Sequence, residues 1–261
     1  MLALAASILF VLIWSTGFIV ARATVPHGAP ELVLAIRLTL VAILLCGAAL
    51  FARQDFPRGR RLALHLLAGA MLHGVYLTVG WWAISRGMPA GIMSLLGALQ
   101  PLMVAVASVV LLGDRLPRRT WVGLAIAILG VTCVLLPAIM RSGTGSISIG
   151  LAIAGLVAVI AMTGGTLIQR GGLAGDPILV SGGVQNIGGA LVAITATLIV
   201  GEWRWDNDPM LWAALGWSVL VLSAAGLSLL VWLVRHQGPT AMSMLLLLVP
   251  PLAAIEAWLL F

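Results

Sequence analysis

Lysine is missing from this chain, and acidic residues number 8 against 14 arginines. Charged residues make up only 8% of the sequence and hydrophobic residues 62%, with a mean hydropathy of +1.16. Soluble domains carry roughly 25% charged residues. The shortage of polar surface excludes a water-solvated core and requires lipid as the solvent. Cysteine is scarce too: Cys46 and Cys133 each stand alone in an apolar run. That excludes a disulfide framework and leaves each as a buried small hydrophobe. No GxxxxGK[ST] loop occurs, so the chain holds no ATP-driven pump domain. No HExxH or comparable metal spacing occurs either. Apart from Arg37, which falls within an apolar run, the arginines sit in short connectors, where they act as topology signals and not as a nucleic-acid-binding face.

What is present is a series of long apolar runs. Breaks at charges, Pro and Gly give nine spans, at 2–21, 32–51, 62–85, 89–112, 120–139, 148–169, 177–200, 210–234 and 239–261. Each approaches the roughly 20 residues that cross a bilayer as a helix. The runs lack period-two alternation, so they predict an all-α integral membrane protein and not a barrel. The first span starts at Met1 without a basic leader region and reads as an uncleaved span. With the N-terminus in the cytoplasm, inside connectors hold nine arginines (Arg53, Arg58, Arg60, Arg61, Arg115, Arg118, Arg119, Arg170, Arg235) and outside connectors four (Arg22, Arg86, Arg141, Arg204). The positive-inside tendency favours that orientation. It places the acidic, Trp-rich connector Gly201–Pro209 outside.

One stretch is written twice. Trp81–Leu111, shifted by 150 residues, lands without a gap on Val231–Phe261. Trp82 falls on Trp232, Pro89 on Pro239 and Pro101 on Pro251, with Leu95, Leu96, Leu102 and Ala107 on Leu245, Leu246, Leu252 and Ala257. Five spans separate the equivalents. Five is odd, so the second copy enters the membrane upside down, as in the inverted repeats of secondary transporters. The expected division is 1–140 for the first repeat and 146–261 for the second. The second copy has four spans where the first has five, so a tenth helix is missing from the pattern; a truncated chain or a nine-helix variant fits, and truncation is the expectation.

These stretches resemble the drug/metabolite transporter superfamily, in particular its EamA-type ten-helix members. The resemblance rests on IWSTGFIVAR (13–22), PELVLAIRLTL (30–40), HGVYLTVGWWAISRGMPAGIMSLLGALQPL (73–102), GDRLPRRTWVGLAIAILGV (113–131) and LSAAGLSLLVWLVRHQGPTAMSMLLLLVPPLAAIEAWLLF (222–261). Asp114 stands where the family usually has Glu. The resemblance implies ten helices in two inverted five-helix repeats, and export of small metabolites or drugs across the cell (inner) membrane by alternating access. It implies no cofactor. The partners expected are a small-molecule substrate and the lipid bilayer, with protons as a candidate coupling ion.

Polar groups inside a span are costly and are candidates for function by default. Gln100 precedes Pro101, whose ring opens the helix ladder one turn earlier; Pro251 occupies the equivalent place in the second copy. Either a cavity wall or an ordinary kink fits. Tyr76, the one Tyr of the chain, and Trp81 and Trp82 fall in the same repeated region. Trp82 also suits an interfacial anchor. Trp14, Ser15 and Gln169 suit either a substrate wall or helix packing. Arg37 either snorkels to the interface or faces the interior and holds an anionic group. His73 is a candidate proton carrier or a structural interhelical donor. Gln185 and Asn186 read as interhelical glue. Glu256 is the only acid inside a predicted span and a candidate for proton coupling. A membrane enzyme acting on lipid-linked substrates would need paired acids or a His/Asp cluster at one interface. The clustered acids, 202–208, have no His among them. A channel would need a charge ring or filter loop, and none is visible.

Overall fold

In a lipid environment each backbone N–H and C=O must be satisfied within its own helix, and the computed structural model of the chain is built accordingly. It describes residues 2–113, 117–140, 147–173, 175–246 and 248–260. Among these residues there are nine helical rods and no strand, apart from one isolated bridge between Gly28 and Trp205. We number them α1 (Leu2–Thr24), α2 (Pro30–Phe51), α3 (Gly59–Ser85), α4 (Ala90–Gly97 and Gln100–Leu112), α5 (Arg118–Met140), α6 (Ile149–Arg170), α7 (Ile178–Val200), α8 (residues 209–246) and α9 (Val249–Leu260). Eight of them are long and apolar enough to cross a membrane, and α9 is a shorter apolar helix.

Two features depart from the hydropathy reading. The eighth and ninth spans were expected to part at 234–239, but helix continues from Gly226 to Leu246 through Gly238 and Pro239. The break falls instead at the turn of Leu248, just ahead of Val249–Leu260. Pro250 and Pro251 explain that position. Neither has an N–H to donate, a loss that costs nothing in the first turn of a helix. The second departure is that α3 and α8 each contain a π-helical segment, Ala70–Val75 and Trp217–Ala225. In the second of these the Ser223 hydroxyl donates to the Ser218 carbonyl, 2.8 Å away and five residues back. It thereby satisfies an acceptor in the wider turn. Both segments, and the breaks in α4 and after α8, recur at the 150-residue offset of the sequence repeat.

The packing of α1–α4 on α6–α9 has a simple logic. α2 packs on α7, and α4 on α9. α1 packs on α8 and α9, as α6 packs on α3 and α4; α3 also meets α7, as α8 meets α2. Exchanging α1 with α6, α2 with α7, α3 with α8 and α4 with α9 leaves this list unchanged. α5 lies at the edge with no buried residue. Cys133 is exposed there, contrary to the expected burial, because α5 packs only lightly on α4. Cys46 is half-buried, its Sγ pressed against Gly183.

Close approach of helices in lipid relies on small residues, since apolar surface alone brings no driving force there. A Cβ on Gly69 would stand 1.9 Å from the Gln185 carbonyl oxygen, so α3 and α7 touch backbone to backbone. Gly47 has nothing within 4 Å of its would-be Cβ. Gly69→Ala therefore forces the two helices apart and lowers the thermal midpoint of the purified protein, by the equivalent of about 1–3 kcal/mol. Gly47→Ala leaves it unchanged. Equal midpoints for the two variants would contradict this packing.

Candidate functional site

Several hydrogen bonds tie helices of the first repeated region to helices of the second, among them Trp217 Nε1 to Thr16 Oγ1 and Gln237 Nε2 to Ser7 Oγ, both 2.9 Å; two others lie on equivalent helix pairs. On α1, Ser15 is fully buried, and its hydroxyl donates to Glu256 Oε1 on α9 at 2.8 Å. The other carboxyl oxygen, Glu256 Oε2, is buried without a hydrogen-bond partner. On α4, Gln100 Nε2 donates to Thr166 Oγ1 on α6 at 2.8 Å, and that hydroxyl in turn donates to the Met162 carbonyl at 2.9 Å. The helix pairs α1–α9 and α4–α6 exchange under the swap described above. Each bond thus joins the first helix of one set to the fourth helix of the other.

The break in α4 sits at the second bond. Pro101 cannot donate to Gly97, and the ladder is reset by Leu102 and Met103, which both donate to the Leu99 carbonyl. Tyr76 comes up against the same place, its Oη 3.2 Å from a would-be Cβ on Gly97. Pro101 and Pro251 are both exposed, the latter at the start of α9.

A second group of the expected residues gathers on α2 and α3. Arg37 is 7% exposed, so it does not snorkel to an interface; its Cζ lies 5.7 Å from the Trp81 ring centroid. Its Nε has no hydrogen-bond partner, and His73 is within electrostatic reach. Trp82, by contrast, lies under Arg86 at 5.8 Å, at the connector end of α3. Trp14 packs on Phe10, with ring centroids 5.0 Å apart, and against Gly226. Gln169 donates to Gln185 Oε1 at 3.3 Å. Gln185 is buried as interhelical glue, but Asn186 donates to Gly182 within its own helix. Glu256 is not the sole acid within a helix. The second helix begins at Pro30, which takes Glu31 into its first turn, 2% exposed.

Several partners leave no local mark in the sequence. His65 on α3 is fully buried and contacts Asp176 in the α6–α7 connector, Nε2 to Oδ2 at 2.6 Å. Arg61, one turn earlier on α3, holds the same carboxylate with Nε at 2.9 Å and with a second guanidinium nitrogen. The Arg61 guanidinium keeps the Asp176 carboxyl below the usual carboxylate range, with a smaller contribution from His65. The i, i+4 spacing of Arg61 and His65 places both on one helix face; the acid between them is 111 residues away from His65.

At the other connectors, Arg204 donates to the Val25 carbonyl at 2.6 Å and to the Pro26 carbonyl. His27 lies 3.1 Å from Asp206 and 3.8 Å from Asp208. The backbone N–H of Asp208, with His27, holds Asp206 below the usual carboxylate range. This clasp joins the α1–α2 connector to the α7–α8 connector.

Comparisons with known proteins identify the family and the fold. The family model of the EamA-like transporter family matches residues 1–136, just over half of the chain. The chain belongs to the EamA-like transporter family. It is thereby a member of the drug/metabolite transporter superfamily, whose proteins are transporters and not enzymes. The probable amino-acid metabolite efflux pump of Salmonella typhimurium is 30% identical over 130 residues, which is 48% of this chain and 40% of that protein. Protein PecM of Dickeya dadantii is 25% identical over 95% of this chain and 80% of its own length. A solved structure titled "Crystal structure of protein" superposes with a TM-score of 0.58 over 99% of this chain and 96% of that one. At 18% identity it shows the fold alone.

In this EamA-like chain the Ser15–Glu256 bond has a testable energetic signature. Ser15→Ala leaves a buried carboxyl without its donor, which costs about 1–3 kcal/mol. Replacing both partners by apolar groups, as in Ser15→Ala with Glu256→Leu, removes that deficit and recovers most of the thermal stability. Recovery in the double variant supports the bond. A double variant that falls by the sum of the two single losses contradicts it.

Proposed function

We propose that this chain is a secondary transporter that exports small metabolites, amino-acid-like or amphipathic, or drugs, by alternating access in the cytoplasmic membrane. The observation that carries the reading is the pair of cross-bonds Ser15–Glu256 and Gln100–Thr166. They lie on helix pairs that exchange under one operation, and that operation also exchanges the π segments and the breaks of α4 and α8–α9. Such a pattern is what an inverted-topology repeat produces, with residues 1–140 as one unit and 146–261 as the other. The arginine excess in the inside connectors supports an N-terminus inside, at eight to four once Arg235 falls within the helix Gly226–Leu246. In the carrier, each cross-bond forms on one side of the substrate path and opens as the units rock. Gln100, Tyr76, Trp14 and Ser15 line that path, while Arg37, Trp81 and His73 brace α2 against α3. Amino-acid-like substrates are favoured by the likeness to the Salmonella protein, a probable amino-acid metabolite efflux pump.

Cells overproducing the protein are challenged with toxic amino-acid analogues, nucleosides and cationic drugs, and resistance is scored for each. The expected result is resistance to at least one amino-acid analogue, reduced about tenfold by Gln100→Ala at an unchanged amount of protein in the membrane, about the effect of one lost hydrogen bond worth 1.4 kcal/mol. Equal resistance in the variant would remove Gln100 from the path. The orientation is tested separately. Trp205→Cys, in the acidic connector, reacts with a membrane-impermeant thiol reagent added outside intact cells. Reaction only after the cells are opened would reverse the topology.

A further inference from the structure

The chain Arg61–Asp176–His65–Gln185–Gln169 runs from the α6–α7 connector into the bundle. Its end residue Gln169 lies one turn from Thr166, on the same face of α6, so it stops beside the Gln100–Thr166 cross-bond. With the His65 ring neutral, the donors and acceptors along the chain follow from its partners. Asp176 is an ionised carboxylate and can only accept. His65 Nε2, 2.6 Å from it, must therefore carry the ring proton. In the neutral ring Nδ1 is then an acceptor. Gln185 Nε2 at 3.4 Å supplies the donor, which turns Gln185 Oε1 towards Gln169, and Gln169 Nε2 donates to it at 3.3 Å. With its Nε2 engaged, Gln169 has its carbonyl oxygen left to offer to the bundle.

We infer that His65 is a proton-binding site whose charge state is read out at Gln169. A proton arriving from the connector side adds to Nδ1 and makes the ring a double donor. Nε2–H remains on Asp176, which Arg61 continues to hold. Nδ1–H now needs an acceptor, so the Gln185 amide turns over and presents Oε1 to it. The Gln185 Nε2 that swings towards Gln169 is a donor, and Gln169 must turn over as well. Gln169 then offers N–H groups to the bundle where it had offered an oxygen. No covalent bond other than the new N–H forms or breaks. The coupling ligand is the proton itself, and the consequence is an inversion of hydrogen-bonding sense one turn from Gln100–Thr166. A substrate group that accepts is favoured in one charge state and a group that donates in the other.

The surroundings leave His65 few other influences. Asp176 and Arg61 are the charged groups that meet it across its own face. α7 contributes no titratable residue, and α6 contributes Arg170 at its exposed end. Use of this site in transport rests on the carrier reading above, but the switch is measurable without transport.

The test uses the whole protein in lipid nanodiscs, with ¹⁵N label in histidine and glutamine side chains. His65→Gln and Gln169→Asn serve to assign the signals. As pH is lowered, His65 is expected to pass from one ring proton on Nε2 to two. The side-chain amide signal of Gln169 is expected to move over the same pH interval. In Gln185→Leu the His65 change persists while the Gln169 response is lost. The wild-type titration decides the matter even if that variant fails to fold. A Gln169 amide that stays fixed while His65 gains its proton would overturn the proposal. So would a His65 ring that starts with its proton on Nδ1, or one that keeps a single proton until the protein unfolds. If the coupled response is found and the cells show no export, the carrier reading fails and the proton site stands.

Discussion

Everything in this structure follows from the cost of an unsatisfied polar group in lipid. Water cannot take up a stray donor or acceptor in a bilayer, so a polar group is costly there unless another part of the protein meets it. The backbone solves the problem helix by helix. Side chains such as Gln100, His65 and Glu256 are met instead by a residue on a different helix or connector. The partners lie 66 to 241 residues apart, so these few bonds tie distant parts of the chain together. In the proposed carrier, the cross-bonds among them are the ones that open as the units rock.

Small residues set how close the helices come, and closeness decides which polar groups can meet. Gly69 lets α3 touch the backbone of α7 at Gln185. That contact brings the Gln185 amide within reach of both His65 and Gln169. A larger residue at position 69 would therefore loosen the packing and separate the relay in one step. The two π segments, on α3 and α8, belong to the same economy of space. Such segments are rare, well under 1% of residues, and recur at functional positions. Their occurrence at equivalent places ties the local backbone to the wider repeat.

Much of the fold was legible in the sequence because hydropathy reports directly on the solvent. Spans such as α2, α6 and α7 were placed to within a few residues, since an apolar run bounded by Arg, Gly or Pro has few other readings. The boundary at Gly238-Pro239 was misplaced: a Gly-Pro pair signals a break only where no stronger one lies nearby, and the double proline at 250–251 is stronger. The widened turns left no mark, because ordinary apolar residues form them. In the site, single residues were legible and their partners were not. Ser15, Glu256, Gln100 and Gln169 stood out as polar groups in apolar runs. That Ser15 meets Glu256, while Gln169 meets Gln185 and not Gln100, depends on helix packing that no local pattern encodes. Asp176 looked like an ordinary connector acid until α3 was placed beside it.

The central claim is that the units carrying α1–α4 and α6–α9 move against each other around the two cross-bonds. The most direct measurement is transport by protein in which one cross-bond is replaced by a covalent link. With Cys46 and Cys133 changed to Ala, Gln100→Cys and Thr166→Cys are joined by a short reducible thiol bridge, and efflux is measured for a compound to which the cells became resistant. Efflux should stop when the bridge is closed and return when it is reduced. Undiminished efflux through the bridged protein would contradict the account.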